Sequence, residues 1–139
     1  MNNSNHFTVI ASAFRATLST NENLERHEDV TARLIKNGMC DLKTVVGVYH
    51  EDGMPEASRE VSLMIQNLSL TEVNQCLNMY CKTYEQDCIL VMNQNNGHSS
   101  LKALEWSEEL GTWTQVTREE AHEVGIYTLD HNMNYWMAK

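Results

Sequence analysis

KTVVGVYH at 43–50 and REVSLMI at 59–65 decide how this chain is read. The first is rich in β-branched and aromatic side chains. The second alternates, with Val61, Leu63 and Ile65 on one face and Glu60, Ser62 and Met64 on the other. The segment between them, EDGMPEAS at 51–58, holds Gly53 and the sole proline and reads as a loop. Working outward, each strand has a helix on its far side. Upstream, Ser19 and Glu22 form a capping box. Leu24, His27, Val30, Thr31 and Leu34 then recur at helical spacing until Asn37-Gly38 stops the run. Downstream, Ser69 and Glu72 repeat the box, and Leu70, Val73, Leu77, Tyr80 and Tyr84 carry the apolar stripe. Beyond the helices lie two more strands. FTVIASAFR at 7–15 is mostly apolar and closes on an arginine. CILVM at 88–92 is a continuous apolar run, the pattern of a strand covered on both faces.

Strand, helix, strand, strand, helix, strand is the order of an α+β, ferredoxin-like βαββαβ domain, an antiparallel sheet with two helices on one face. The predicted organisation is one domain over 1–139, with a core at about 7–106 and a β-rich C-terminal extension at 107–139. Within the core Asn96-Gly97 marks a hairpin turn into SLKALEW. A short strand near Trp113, a turn of helix at 117–124 and a closing strand at 126–129 follow. The sheet face without helices must meet solvent, the tail or another subunit.

The chain has 139 residues, and ten basic against nineteen acidic residues give a net charge of −9. The basic residues are scattered from Arg15 to Lys139, so no cluster suits a nucleic-acid backbone. No apolar run approaches the ~20 residues of a membrane span. Met1 to Phe7 is polar, unlike a secretory signal, so the expected location is cytoplasmic. Cys40, Cys76, Cys81 and Cys88 form no CxxC pair and read as free thiols, and the six histidines show no metal-ligand spacing. His27, on the apolar stripe, reads as a core histidine, and Glu119, Glu120 and Glu123 as a solvated helix face. P-loop, GxGxxG, HExxH and GxSxG motifs are missing. Chemistry therefore rests on single residues. Arg15, ending an apolar strand, has a guanidinium suited to a carboxylate. Tyr49 and Glu60 flank the 51–58 loop, and a hairpin brings them near one another.

Three stretches carry a resemblance. IASAFR at 10–15, followed by Asn23 and by Arg26-His27, resembles the N-terminal signature of phage enzymes that cleave S-adenosylmethionine, described first as hydrolases and later as lyases. YEQDCILV at 84–91 is similar to their second signature. Tyr49 and Glu60 keep the separation of that family's active-site tyrosine and glutamate, although Arg59-Glu60 stands where the family has two adjacent glutamates. The likeness covers about residues 7–92 and is faint beyond Gly97. It implies an enzyme without metal or cofactor, with Glu60 and Tyr49 at the reacting methionine moiety and Ser12, Ala13, Phe14 and Arg15 as the nucleotide-binding segment. It also implies a homotrimer with clefts between subunits, like the trimeric nitrogen-regulatory signal proteins. A hydrolase, a non-catalytic nucleotide-binding trimer and an acidic DNA mimic are the alternative readings.

Overall fold

A computed structural model describes residues 6–49, 55 and 58–139. The two capping boxes begin its two longer helices. In α1 (Thr20–Lys36) the Ser19 hydroxyl accepts from the Glu22 amide, and the Glu22 carboxylate accepts from the Ser19 amide. Ser69 and Glu72 repeat this at the start of α2 (Leu70–Asn78). Each box satisfies two N–H groups that a helix start leaves without partners. Past α1, Gly38 turns the chain with φ +84°, a conformation glycine adopts without a Cβ clash. Past α2, a π-helical turn (Met79–Thr83) carries the apolar stripe on to Tyr84.

Strands β1 (Phe7–Ala11), β2 (Leu42–Tyr49), β3 (Ser58–Leu68) and β4 (Ile89–Asn93) lie side by side in the order β4-β1-β3-β2, all antiparallel. One face of these strands carries Val9, Ala11, Leu63, Ile65, Ile89 and Val91. They pack with Val30 and Leu34 of α1, Val73 and Cys76 of α2, and Tyr80 of the π turn, forming the main core.

The open, two-helix ferredoxin-like sheet expected from the sequence is overturned. Four further strands, β5 (His98–Lys102), β6 (Ser107–Val116), β7 (Ile126–Leu129) and β8 (Tyr135–Ala138), extend the sheet from both of its edges. β5 pairs with β4, β7 pairs with β2, and β6 and β8 join the two arms. The result is a closed antiparallel barrel, β1-β3-β2-β7-β8-β6-β5-β4. A third helix, α3 (Arg118–Val124), packs Ala121 against Val48 and Tyr127 on the outside.

The physical reason is twofold. As edges, β2 and β4 would present rows of unpaired N–H and C=O groups. The second sheet face also carries Ile10, Val45, Met64, Leu90 and Met92, which need cover. Closure pairs both edges and gathers these side chains inside with Trp113. Residues 107–139 are thus part of the barrel wall rather than an appendage. The uncovered sheet face that suggested an assembly is filled by the chain itself.

Other boundaries shift as well. The first strand stops at Ala11 and not Arg15, the SLKALEW strand stops at Lys102, and the short strand at Trp113 is ten residues long. The chain turns into β8 at Asp130. One of its carboxylate oxygens accepts from the Asn132 and Asn134 amides, both at 2.9 Å, and the other from the Trp136 indole at 2.9 Å. The predicted 51–58 loop lies outside the described residues except for Pro55 and for Ser58, which begins β3.

Candidate active site

Glu60 stands opposite Gly47 on β2, and Gly47 in turn stands opposite Thr128 on β7. Side chains alternate along a strand, and Val45 and Met64 belong to the interior cluster. Glu60 and Ser62 therefore share the inner face of the barrel wall. Among the described residues the Glu60 carboxylate, half-buried, has no hydrogen-bond or ion-pair partner, and burial raises its proton affinity above that of an ordinary glutamate. A carboxylate half out of water gains more from a cation brought beside it than a fully hydrated one does. Tyr49 ends β2 two residues beyond Gly47, its backbone opposite Ser58 and Ile126. The strand pairing thus brings Tyr49 and Glu60 to one end of the same ladder.

The segment Ser12–Arg15 reaches this end as well. The Ser12 hydroxyl donates to the carbonyl of Val61, the residue after Glu60, at 2.7 Å, and accepts from the Phe14 amide at 3.0 Å. Side chains from elsewhere hold the rest. Arg26 donates through Nε to the Ala13 carbonyl at 2.7 Å and through its other arm to the Tyr84 carbonyl. Gln86 donates to the Phe14 carbonyl at 2.8 Å. Asn23 closes a reciprocal pair with Arg15, accepting from its amide at 2.8 Å and donating to its carbonyl at 3.0 Å. The Arg15 guanidinium donates to the main-chain carbonyl of Glu85, a residue in the left-handed region at φ +59°. Rather than holding a carboxylate, Arg15 fixes its own neighbourhood. The carbonyls of 13, 14 and 15 all have donors, so a ligand would meet a surface of fixed shape.

These bonds explain why the two signature stretches go together. Arg26 and Tyr84 are 58 positions apart yet directly bonded, and the Arg26 guanidinium lies 5.4 Å from the Tyr84 ring centroid. Tyr84 also donates its hydroxyl to Asp29. Beside them His27 packs edge-on to Phe14 with ring centroids 6.4 Å apart, and burial lowers its proton affinity. It is a half-buried packing histidine. Sequence reasoning missed Gln86, visible only inside the second signature. Among the described residues no group of three His, Cys, Asp or Glu side chains could hold a metal, and no helix is long and apolar enough to cross a membrane. The four cysteines are free thiols.

Glu60, without a partner among the described residues, thus stands on the inner wall of the barrel beside the segment 12–15, which residues of both signatures hold in place. The family model of the S-adenosylmethionine lyases matches residues 9–139. The chain belongs to the S-adenosylmethionine lyase family and is an enzyme of that class. The match extends through the tail, well past the last stretch whose likeness is visible by eye. Among relatives, the S-adenosylmethionine lyase of Enterobacteria phage T3 is 23% identical over 142 residues, covering 96% of this chain and 93% of the relative. Membership in an enzyme family sets aside the regulatory-trimer and DNA-mimic readings.

Proposed function

We propose that the protein cleaves S-adenosylmethionine into 5′-methylthioadenosine and L-homoserine lactone, the substrate's own carboxylate attacking Cγ. The bond formed joins a carboxylate oxygen to Cγ. The bond broken joins Cγ to sulfur, whose electron pair leaves with neutral methylthioadenosine. The leaving group takes no proton, so neither a general acid nor a metal is called for. The enzyme's task is to hold the folded conformer from which the five-membered ring closes, an effect of large size in model reactions. This reading suits the half-buried Glu60 carboxylate beside a pinned segment at 12–15.

Glu60 carries the proposal. Its charge, half-buried and without a partner among the described residues, would fix the sulfonium or the amino group of the methionine moiety. Tyr49 would position the same moiety, by its hydroxyl or by the face of its ring. Ser12, Ala13, Phe14 and Arg15 would receive the adenosine. The second reading is hydrolysis, with Glu60 as general base on a water attacking Cγ. The raised proton affinity of Glu60 is the observation in its favour. A trimer with clefts between subunits, and a biological role in depleting S-adenosylmethionine to blunt host restriction, belong to this reading through the family resemblance alone.

Products separate the two mechanisms. In a brief reaction in ¹⁸O-water, homoserine lactone should be the first product besides methylthioadenosine, with both oxygens from the substrate. Early homoserine bearing ¹⁸O on its γ-hydroxyl would make water the nucleophile and Glu60 the base.

A further inference from the structure

The geometry points to a second binding site, at the end of the barrel away from Glu60, for a flat aromatic ring that carries an anionic group. An eight-stranded barrel is just wide enough to fill its interior with side chains or to hold one small ligand. Here the interior cluster fills only part of the space. A cavity of about 370 Å³ remains between strands β1–β4 and the tail, with Val45, Met64 and Met92 of that cluster in its lining. The volume lies in the range of small-molecule pockets. The cavity is separate from the candidate active site. Lys43, which also lines it, stands four positions before Gly47 on β2, and Met64 stands four positions after Glu60 on β3. Each is a step of about 13 Å along its strand.

The chemistry of this cavity comes from both sides. From the tail, the Trp113 and Trp136 indoles both line it, parallel to within 3° and with ring centroids 6.4 Å apart. The Trp136 N–H is committed to Asp130 at 2.9 Å, so this indole offers a ligand its π face, on which another flat ring can stack. The Asp130 carboxylate also borders the cavity, but three N–H donors already engage its two oxygens. From β2 comes Lys43, exposed and without a hydrogen-bond or ion-pair partner among the described residues, although acids outnumber bases nineteen to ten in the chain. An ammonium group on a cavity lined by methionines and indoles suits a ligand with a flat apolar body and one negative end. A nucleoside monophosphate and an aromatic carboxylate share that chemistry.

Two of the chain's three tryptophans line the cavity, so tryptophan fluorescence reports on it. Adenosine 5′-monophosphate, benzoate or both should quench that fluorescence saturably, with a Kd below about 1 mM. The tighter of the two names the source of the ligand. Adenosine and benzamide, their neutral counterparts, should bind at least about tenfold more weakly. Lys43→Met, a change on the surface, should weaken the tighter probe about tenfold or more and leave methylthioadenosine release in its absence unchanged. Glu60→Gln should leave binding of the probe as in wild type, since the two sites lie apart. Quenching by neither anion, a neutral counterpart that binds as tightly as its anion, or wild-type affinity in Lys43→Met overturns the proposal. None of these outcomes touches the proposed function, which stands or falls on methylthioadenosine release by the wild-type protein.

Discussion

The helix-covered wall and the tail wall of the barrel are built differently. β1, β3 and β4 press Val9, Ile65 and Ile89 against Leu34 and Tyr80, all essentially without solvent contact. The tail wall is thin. Most of β6 is exposed, and the cluster under α3 is small, built on Val48, Ala121 and Tyr127. Glu60 and the pinned segment 12–15 belong to the thick wall, whereas Gly47 and Tyr49 lie where it meets the tail. Drawing the Glu60 carboxylate half out of water costs stability locally, and a well-packed wall is where such a cost can be borne. The tail contributes closure, pairing β2 and β4, more than it contributes core.

The largest expected effect tests that difference. Leu34→Ala, at 0% exposure, should lose about 2–5 kcal/mol in urea unfolding. Leu110→Ala on β6 should lose less than about 1 kcal/mol. Equal losses would break the contrast. Next comes Gly111→Ala, where φ is +124° and the new Cβ meets the Lys139 backbone. It should lose about 1–3 kcal/mol by the same measurement, showing that the tail is held by backbone fit where the other wall is held by side-chain burial. The smallest effect has the opposite sign. Tyr80 is fully buried in the main core with a hydroxyl that has no hydrogen-bond partner among the described residues. Tyr80→Phe should therefore gain about 1 kcal/mol. A loss instead would mean that the hydroxyl has a partner in solution.

The same contrast explains what was legible in the sequence. Ser19, Ser69 and the 3.6-residue stripes mark α1 and α2 because those helices bury one clean face against the thick wall. Leu90 and Met92 alternating with Ile89 and Val91 fulfil the expectation of a strand covered on both sides, helices outside and barrel interior within. The tail gave weaker signals. β8 is four half-buried residues, and the turn before it depends on Asp130 satisfying two amides and an indole, which no periodicity records. Closure itself was illegible, because it depends on which distant strands meet, as when β7 pairs with β2. At the candidate site, Tyr49 and Glu60 were singled out by their place on either side of the 51–58 loop and by family likeness, Ser12 by likeness alone, and the structure adds that Ser12 bonds the carbonyl of Val61, the residue after Glu60. The bonds of Arg26, Asn23 and Gln86 to the 13–15 carbonyls could not be read from spacing, since the donors are drawn from both signatures.

The central claim is that Glu60, without a partner among the described residues, supplies the charge that meets a cation, and Glu60→Gln measures it most directly. Burial raises the folded-state proton affinity of Glu60 above its unfolded value. Its contribution to stability is thus intact below the unfolded pKa of about 4.3 and is lost as pH rises through the higher, folded value. Glutamine carries no such loss. The variant should be at least as stable as wild type at pH 7, with a stability advantage that shrinks as the pH is lowered toward 4. Release of methylthioadenosine from S-adenosylmethionine by the same folded sample should fall about 100-fold or more, the scale of removing one aimed electrostatic contact. Near-normal turnover in a folded Glu60→Gln protein would contradict the account.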